Sequence, residues 1–324
     1  MRRLPVAAIV VVGLGMASVV TAAAPLPISG SATANMPAKR LTPPGPHLGG
    51  CAVFPPSNAW NQEIATAALH PLSQQIINHI QSIGSKALHP DFGENQSYGI
   101  PYVVVPATQP LVAVTYDAYG DESDPGPFPI PPGAPVEGGS DAHVLVLQQQ
   151  TCQLYELFAA RPQSDGSWVA GSGAHFDLTT GALRTIGWTS ADAAGLPILP
   201  GLVRYDEVAA GRIDHAIRVT FSRTQQGFIL PATHFASSDP DQTLPAMGMR
   251  LRLRADFDVN SLTGQARVIA AAMQRYGLIV ADNGSNWFFQ GAPDAGWDDN
   301  DLNQLKAIPG TAFEVVDTGP VQTG

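Results

Sequence analysis

Short runs of β-branched residues, each followed within a few positions by proline or glycine, dominate the chain after residue 99. Ile100–Val105 and Leu111–Tyr116 are examples. The 324 residues include 32 glycines and 29 prolines, residue types that interrupt helices and strands and suit turns. About ten such strands without regular strand–helix alternation favour packed sheets over an alternating βα fold. We therefore expect a mainly β fold, a single β-sandwich or jelly-roll-like domain with two or three peripheral helices.

The few helical segments are recognisable by their apolar spacing and their caps. Leu72–Ile83 repeats isoleucine and leucine on one helical face. A second helix is expected to begin at Ser261 and end at Gly277, and Asp298 is placed to cap a third, short one. The segment Thr189–Ala194 predicts one further helical turn, because capping residues open it and a glycine follows it.

The first 24 residues have the three parts of a secretory signal peptide: a basic start, an apolar run and an Ala-x-Ala cleavage site. Residues 25–48 are rich in Pro, Ala, Ser and Gly, which predicts a linker. Residues 49–320 are then the β domain. No segment after the first 24 residues approaches the roughly 20 apolar residues that cross a bilayer. We expect an exported protein, extracellular or periplasmic, with no membrane span in its mature form.

Acidic residues outnumber basic ones, and the formal net charge is −10. Binding to a nucleic-acid backbone needs clustered lysine and arginine, so nucleic acid is not expected as a partner. The charge indicates solubility rather than a particular ligand. Nothing in the sequence indicates an oligomeric state.

Cys51 and Cys152 are the only cysteines. An isolated pair in an exported protein favours a disulfide, with two free thiols or a metal-binding pair as the alternatives. The bridge would close a loop of about 100 residues, worth about 4–5 kcal/mol in the loop-entropy model. It would tie the start of the domain to the strands near residue 150.

A row of arginines lies on a predicted strand, Met249–Asp256. Strand alternation places Arg250, Arg252 and Arg254 on one face, where each guanidinium can fork onto a carboxylate or sulfate. The row either grips an anionic chain or pairs with acids on the neighbouring strand. We select Arg250 and Arg252, together with Arg218 on the predicted strand His215–Phe221, as substrate-binding candidates.

The catalytic candidates are Tyr205, Asp206, Glu207 and His215, upstream of that row. In a strand, Asp206 and Glu207 would point to opposite faces, so a second carboxyl must come from elsewhere. Glycosidases need two carboxyls at a defined separation. The candidates for that second carboxyl are Glu156, Asp192 and Asp282.

Aromatic side chains beside polar loops are candidates for stacking on sugar rings. We favour Trp188 and Trp287 for this role and place His234 in the same site. Each tryptophan has an equally good alternative role as a loop anchor packed on the sheets. A histidine at the end of a predicted strand is often a buried, hydrogen-bonded core residue, and this alternative applies to His215.

No metal ligand is assigned and no cofactor is expected. The acidic loop Asp121–Asp124 could hold Ca²⁺, but an ordinary solvated loop has the same composition. Asp256, Asp258 and Asn260 begin like a calcium loop, yet Ser261 and Arg267 replace the glycine and glutamate that an EF-hand requires.

Two phrases, GWTSADAAGLPILPGLVRYDEV (187–208) and YGLIVADNGSNWFFQGAPDAGWDDNDL (276–302), resemble segments of secreted bacterial proteins without an assigned activity. The resemblance covers most of residues 50–318. It implies an exported single domain and carries over no catalytic residue.

These features together predict a secreted carbohydrate-active enzyme that cleaves glycosidic bonds of an extracellular, possibly anionic, polysaccharide. The nearest alternative is a polysaccharide lyase that uses the His, Tyr and Arg candidates. A non-catalytic saccharide- or surface-binding protein and a structural envelope protein are alternatives of another class. An enzyme requires two titratable groups that converge in a cleft, whereas a binding protein does not.

Overall fold

The computed structural model describes residues 45–323. Strand residues outnumber helical ones. The strands, in chain order, are β1 (His47–Leu48), β2 (Cys51–Ala52), β3 (His89–Asp91), β4 (Tyr102–Val105), β5 (Val114–Tyr116), β6 (Val144–Gln148), β7 (Gln153–Phe158), β8 (Arg161–Pro162), β9 (Trp168–Ala170), β10 (Ser172–Asp177), β11 (Ile217–Phe221), β12 (Arg250–Leu253), β13 (Leu278–Asn283), β14 (Phe288–Gln290) and β15 (Phe313–Val316).

The α-helices of this part of the chain are α1 (Ser73–Ser82), α2 (Tyr205–Ala209), α3 (Gly264–Arg275) and α4 (Asp299–Leu302). Three of them match the expected helices to within a few residues. Asp298 caps α4 as predicted, since its carboxylate accepts from the backbone N–H groups of Asn300 and Asp301. The helix α2 was not expected, and the turn predicted at Thr189–Ala194 is an irregular loop instead.

The strands form three larger sheets and one two-stranded ribbon. The six-stranded sheet has the order β15-β12-β13-β11-β14-β3, the four-stranded sheet β10-β7-β6-β4 and the three-stranded sheet β5-β9-β8. Within residues 45–323 none of these sheets closes into a barrel. The prediction of a mainly β, sandwich-like fold with a few helices is confirmed.

The four-stranded sheet has a buried face on each side, and β6 shows this most clearly. Leu145 and Leu147 belong to the main core, which they share with residues of the six-stranded sheet. Val144 and Val146 point the other way into a second core, which includes Trp168 of the three-stranded sheet. Because side chains alternate along a strand, β6 is apolar throughout and is covered on both faces.

A bulge interrupts the pairing of the two parallel strands at the centre of the six-stranded sheet. Val219 of β11 pairs with Val280 of β13, but the next residue, Thr220, pairs with Asp282, so Ala281 is skipped. Bulges of this kind redirect side chains and occur often next to functional sites. This one lies immediately before Asp282.

Cys51 and Cys152 form the predicted disulfide, with a sequence separation of 101 residues. The bond joins β2 to the turn between β6 and β7. The predicted signal peptide and residues 25–44 of the predicted linker lie outside the described residues, and the last linker positions, His47 and Leu48, form β1. No helix within residues 45–323 is long and apolar enough to cross a membrane.

Candidate functional site

The expected strand at Tyr205–Glu207 is helix α2, and this changes where the three candidate side chains point. Glu207 lies inside the protein, with 10 % of its side chain exposed. Asp206 is more than half exposed. Tyr205 and Asp206 instead line a surface pocket of about 500 Å³. The structure therefore does not bring all four catalytic candidates into one cleft.

Glu207, Arg204 and His215 form a buried ionic group, which we call the Arg204 cluster. Glu207 Oε1 lies 2.6 Å from Arg204 Nη2, and Glu207 Oε2 lies 3.0 Å from His215 Nε2. The other ring nitrogen of His215 lies 2.7 Å from the carbonyl oxygen of Ala216. Burial alone would raise the pKa of Glu207, but the charges of His215 and Arg204 lower it. Glu207 is therefore held ionised, and fully buried His215 has no access to a substrate.

The predicted arginine row is engaged within the protein. Buried Arg250 donates to the carbonyl oxygens of Ala59, Gln62 and Tyr276, and burial lowers its pKa to about 10. Arg252 pairs with Glu314 at 2.7 Å. Arg254 pairs with Asp256 two residues away. The second sequence-based interpretation, pairing with acids on the neighbouring strand, describes Arg252, whose partner Glu314 lies opposite it on β15. Arg254 pairs within its own segment, and backbone carbonyls hold Arg250.

The two favoured tryptophans differ in access. Trp287 is fully buried and packs against Phe221 and Phe313, so it anchors a loop rather than presenting a face to solvent. Trp188 is half-buried, and the guanidinium of Arg184 lies 5.7 Å from its ring centroid. Trp188 lines a shallow pocket of about 280 Å³.

Asp192 and Asp282, two candidates for the second carboxyl, lie next to each other and to Arg218. We call these three residues the Arg218 cluster. Arg218 donates from Nε and Nη2 to the two oxygens of Asp192, over 3.0 and 2.6 Å. A third contact joins its Nη1 to Gln290. The Asp282 carboxyl hydrogen-bonds to Asp192. Arg218 is 2 % exposed, so it positions Asp192 rather than contacting a ligand.

The Asp192–Asp282 contact sets the protonation state of Asp282. Burial and the negative charge of Asp192 raise the pKa of Asp282 to about 8, and the attraction of Arg218 only partly opposes them. Asp192 accepts the fork from Arg218, the geometry of an ionised carboxylate. One arginine thus faces two acids, and the more exposed acid keeps a proton at neutral pH.

The loop that carries Asp192 is held by side chains rather than by helical hydrogen bonds. Ser190 Oγ accepts from the N–H of Asp192 over 2.9 Å and donates to the carbonyl of Leu196. Serine side chains that bond to nearby backbone groups compete with helix formation, which explains why no helical turn forms. Gly195 has a φ of +69°, and a Cβ there would collide with Thr233 Oγ1 and the carbonyl of Trp188.

Glu156, the third candidate for the second carboxyl, secures the far end of the same loop. Its oxygens accept from the backbone N–H groups of Ile198 and Leu199 over 2.8 and 2.9 Å. Burial raises the pKa of Glu156 to about 7, against these two donors. Since it is fully buried, Glu156 acts as an anchor and is not accessible to a substrate.

Buried His143 holds the loop from another side. His143 Nε2 lies 3.0 Å from the carbonyl oxygen of Ala191, and Nδ1 contacts Glu137. Burial alone would lower the pKa of His143, but the hydrogen bond and charge of Glu137 raise it. Asp192 is therefore positioned by contacts from several strands at once.

Asp282 and Asp192 line a pocket of about 210 Å³. Its other walls carry Tyr119, half exposed, and His234. His234 Nδ1 lies 2.7 Å from the carbonyl oxygen of Ala193, and Nε2 lies 3.9 Å from Glu122 Oε2. Glu122 also accepts from the N–H of Thr189 over 3.0 Å. The pocket thus holds a protonated carboxyl, a histidine paired with a second acid, and an exposed aromatic ring.

Of the residues that the sequence suggested for catalysis or substrate binding, His234 lines this pocket and Arg218 lies beneath it. Sequence reasoning missed Tyr119 and the role of Glu122. Both belong to a segment that it identified only as an acidic, proline-rich loop. No spacing signal connects that loop with Asp282, because some 160 positions separate them and only the fold brings them together.

Asp121–Asp124, considered above for Ca²⁺, is tied to the protein by its own side chains. Asp124 pairs with Arg184 and accepts from the N–H of His175. Within residues 45–323, no group of three or more His, Cys, Asp or Glu side chains is arranged to hold a metal ion.

Fold and site together define a class: a disulfide-bridged, sandwich-like β protein with a hydrogen-bonded carboxyl pair in the floor of a pocket. Comparisons with protein-family models, with curated proteins and with solved structures gave no match.

Proposed function

We propose that this protein is an exported hydrolase of glycosidic bonds in an extracellular polysaccharide, with the Asp282 pocket as its active site. The observation that carries the proposal is the Asp192–Asp282 carboxyl pair, opened to solvent on the Asp282 side and held by Arg218 on the other. Two carboxyls whose surroundings separate their protonation states are the usual basis for acid–base assignments. The disulfide and the predicted signal peptide support export.

Asp282 is the general acid in this proposal. Its proton passes to the glycosidic oxygen as the bond between that oxygen and the anomeric carbon breaks, and the leaving sugar departs as an alcohol. The resulting Asp282 carboxylate faces ionised Asp192, with Arg218 offsetting part of the repulsion. A raised pKa is what a general acid needs at neutral pH.

The general base is the imidazole of His234, with the carboxylate of Glu122 beside it. Nδ1 of His234 faces a carbonyl oxygen and therefore carries hydrogen, which leaves Nε2 to accept a proton in the neutral ring. The attacking water gives its proton to this pair and its oxygen to the anomeric carbon. Tyr119 offers a half-exposed ring at the same pocket, suited to the apolar face of a sugar.

The geometry favours hydrolysis over the alternatives considered from the sequence. A lyase built on Tyr205, His215 and Arg218 would need those side chains in one cleft, but His215 and Arg218 are buried in different clusters. The arginines chosen to bind an anionic chain are engaged internally, so the proposal no longer includes a charged substrate.

The test is a panel of neutral, anionic and amino-sugar polysaccharides incubated with the mature protein, assayed for new reducing ends and for the ultraviolet absorbance of unsaturated uronates. We expect reducing ends without that absorbance. Asp282→Asn should lower the rate by about 10²- to 10⁴-fold, the usual contribution of a general acid. In the unaltered protein, activity should decline as pH rises through about 8, because Asp282 loses its proton there.

Asp256→Asn is the matched control, since Asp256 is an exposed acid outside the pocket, and it should leave the rate unchanged. A loss of activity in Asp206→Asn but not in Asp282→Asn would move the active site to the pocket beside α2. Unsaturated products would instead establish a lyase. Binding without any cleavage would leave a non-catalytic saccharide-binding protein.

A further inference from the structure

The 500 Å³ pocket beside α2 is separate from the Asp282 pocket, and the two share no lining residue. Its walls combine two tyrosine rings, Tyr102 and Tyr205, with the carboxylates of Asp206 and Asp294. Gln96 adds an exposed amide, and three prolines add apolar surface. Aromatic faces next to hydrogen-bonding groups are typical of sites for polar, partly apolar ligands.

Arg204, at the base of this pocket, has a donor without an acceptor. Its side chain is 1 % exposed, and Nη2 pairs with Glu207 while Nε lies 3.5 Å from Asp206. Nη1 has no hydrogen-bond partner among residues 45–323. A buried polar group without a partner costs free energy, so a ligand oxygen that reaches Nη1 from the pocket, which Arg204 lines, gains a hydrogen bond that the protein does not supply.

The charges around the pocket limit which ligands it can bind. Glu207 pairs with Arg204 inside the protein, while Asp206 and Asp294 line the pocket with two further carboxylates, of which Asp206 lies 3.5 Å from Arg204 Nε. Burial raises the pKa of Tyr102; Arg204 opposes the shift, and the charges of Asp206, Glu207 and Asp294 add to it. These carboxylates repel a uronate or sulfate and accept hydrogen bonds from hydroxyl groups.

We infer that this pocket is a second saccharide-binding site, specific for a neutral sugar unit. Its hydroxyl groups donate to Asp206 and Asp294, a ring or carbonyl oxygen accepts from Arg204 Nη1, and its C–H face packs on the tyrosines. The inference goes beyond the proposed function, since binding here does not require the chemistry of Asp282.

The experiment is isothermal titration calorimetry of the full mature chain carrying Asp282→Asn, so that no ligand is consumed. The probes are hexamers of β-1,4-glucose, β-1,4-xylose, β-1,4-mannose, α-1,4-glucose and N-acetylglucosamine, with galacturonic acid and glucosamine hexamers as charged comparisons. We expect at least one neutral hexamer to bind. Adding Asp206→Ala should weaken that binding about tenfold or more, the effect of losing a hydrogen bond to a charged group.

Asp206 is largely exposed, so its replacement should leave the urea unfolding curve unchanged. Adding Asp256→Ala instead is the matched control and should not change the affinity. Amide NMR shifts should localise the neutral hexamer to Gln96 and Ala292, which line the pocket.

Three results would overturn the inference: no binding of any neutral hexamer, binding that Asp206→Ala does not weaken, or Asp206-dependent binding of a charged hexamer alone. Failure of the proposed function is a separate result. Binding that depends on Asp206, together with no cleavage of any polysaccharide by the unaltered protein, would refute hydrolysis and support this site.

Discussion

Arg204 and Arg218 each hold a buried carboxylate, yet the acids around them end in opposite protonation states. In the Arg204 cluster one acid, Glu207, lies between two basic side chains, and their charges lower its pKa. In the Arg218 cluster one arginine faces two acids, and the pKa of Asp282 rises to about 8. A buried arginine and carboxylate thus form an ion pair in both clusters, but the second acid of the Arg218 cluster keeps its proton at neutral pH. The count of charges, together with access to solvent, decides which result is obtained.

The largest loss of unfolding free energy should follow from replacing Arg218, the arginine that faces two acids. Arg218→Met leaves Asp192 buried without a cation, and breaking a buried pair in this way costs about 3–5 kcal/mol of unfolding free energy. Urea unfolding at neutral pH measures it. Arg161→Met is the control, because Arg161 and its partner Asp117 are both half exposed, and such pairs contribute about 0–1 kcal/mol. Equal losses in the two variants would mean that the Arg218 cluster is not a buried ion pair.

A smaller loss is expected in the other cluster. Glu207→Gln keeps the shape and one acceptor oxygen beside Arg204 and His215, so it removes charge rather than all contact. Losing the charge from such hydrogen bonds should lower the unfolding free energy by about 2 kcal/mol. Hydrolytic activity per folded molecule should stay unchanged, since Glu207 is not in the Asp282 pocket. A variant that folds normally but is inactive would contradict the assignment of the two clusters.

The change of stability per pH unit is smaller than either of these losses, and its sign distinguishes the two clusters. Asp282 has a folded-state pKa of about 8 against 3.8 for the free side chain, so the folded state retains its proton longer. Its contribution to stability therefore falls as pH rises from about 4 to about 8, by at most about 1.4 kcal/mol per pH unit. Asp282→Asn should flatten that decline. Glu207 acts oppositely: with its lowered pKa, its contribution is present above about pH 4.5 and is lost as pH falls through the folded-state value.

Unfolding free energies measured across this pH range, for the unaltered protein and for Asp282→Asn, test that difference. Asp256→Asn is again the control, as its carboxylate lies at the surface. Identical pH profiles for the unaltered protein and Asp282→Asn would show that Asp282 titrates like a solvated acid. The basis for a general acid would then be lost.

Most of the fold could be predicted from local patterns in the sequence. Apolar spacing located α1 and α3, Asp298 identified the start of α4, and the cysteine pair identified the disulfide. The strand predicted at Tyr205–Glu207 was wrong because three residues without apolar alternation carry no clear period. Arg218 on β11 and Arg250 on β12, two of the substrate-binding candidates, point into the protein and find buried acceptors there.

The candidate site was less predictable for a physical reason. Asp192 and Asp282 were considered only as separate partners for Glu207, because their contact depends on a loop held by Ser190, Glu156 and His143. Those hydrogen bonds join segments far apart in the chain, so they cannot be predicted from the spacing of residues in the sequence. A bulge that skips Ala281 adds a change of direction that strict alternation would not give.

Because β6 lies between two cores, it should tolerate few amino-acid substitutions. A strand with one wet face accepts substitutions at every second position, but all five residues from Val144 to Gln148 are buried. A saturation mutagenesis library selected for folded protein should therefore lose the usual every-other-residue tolerance along β6. Variation should concentrate at the exposed positions of the Pro- and Gly-rich loop that precedes this strand, and should spare Phe128, Ile130 and Ala134, which that loop contributes to the second core.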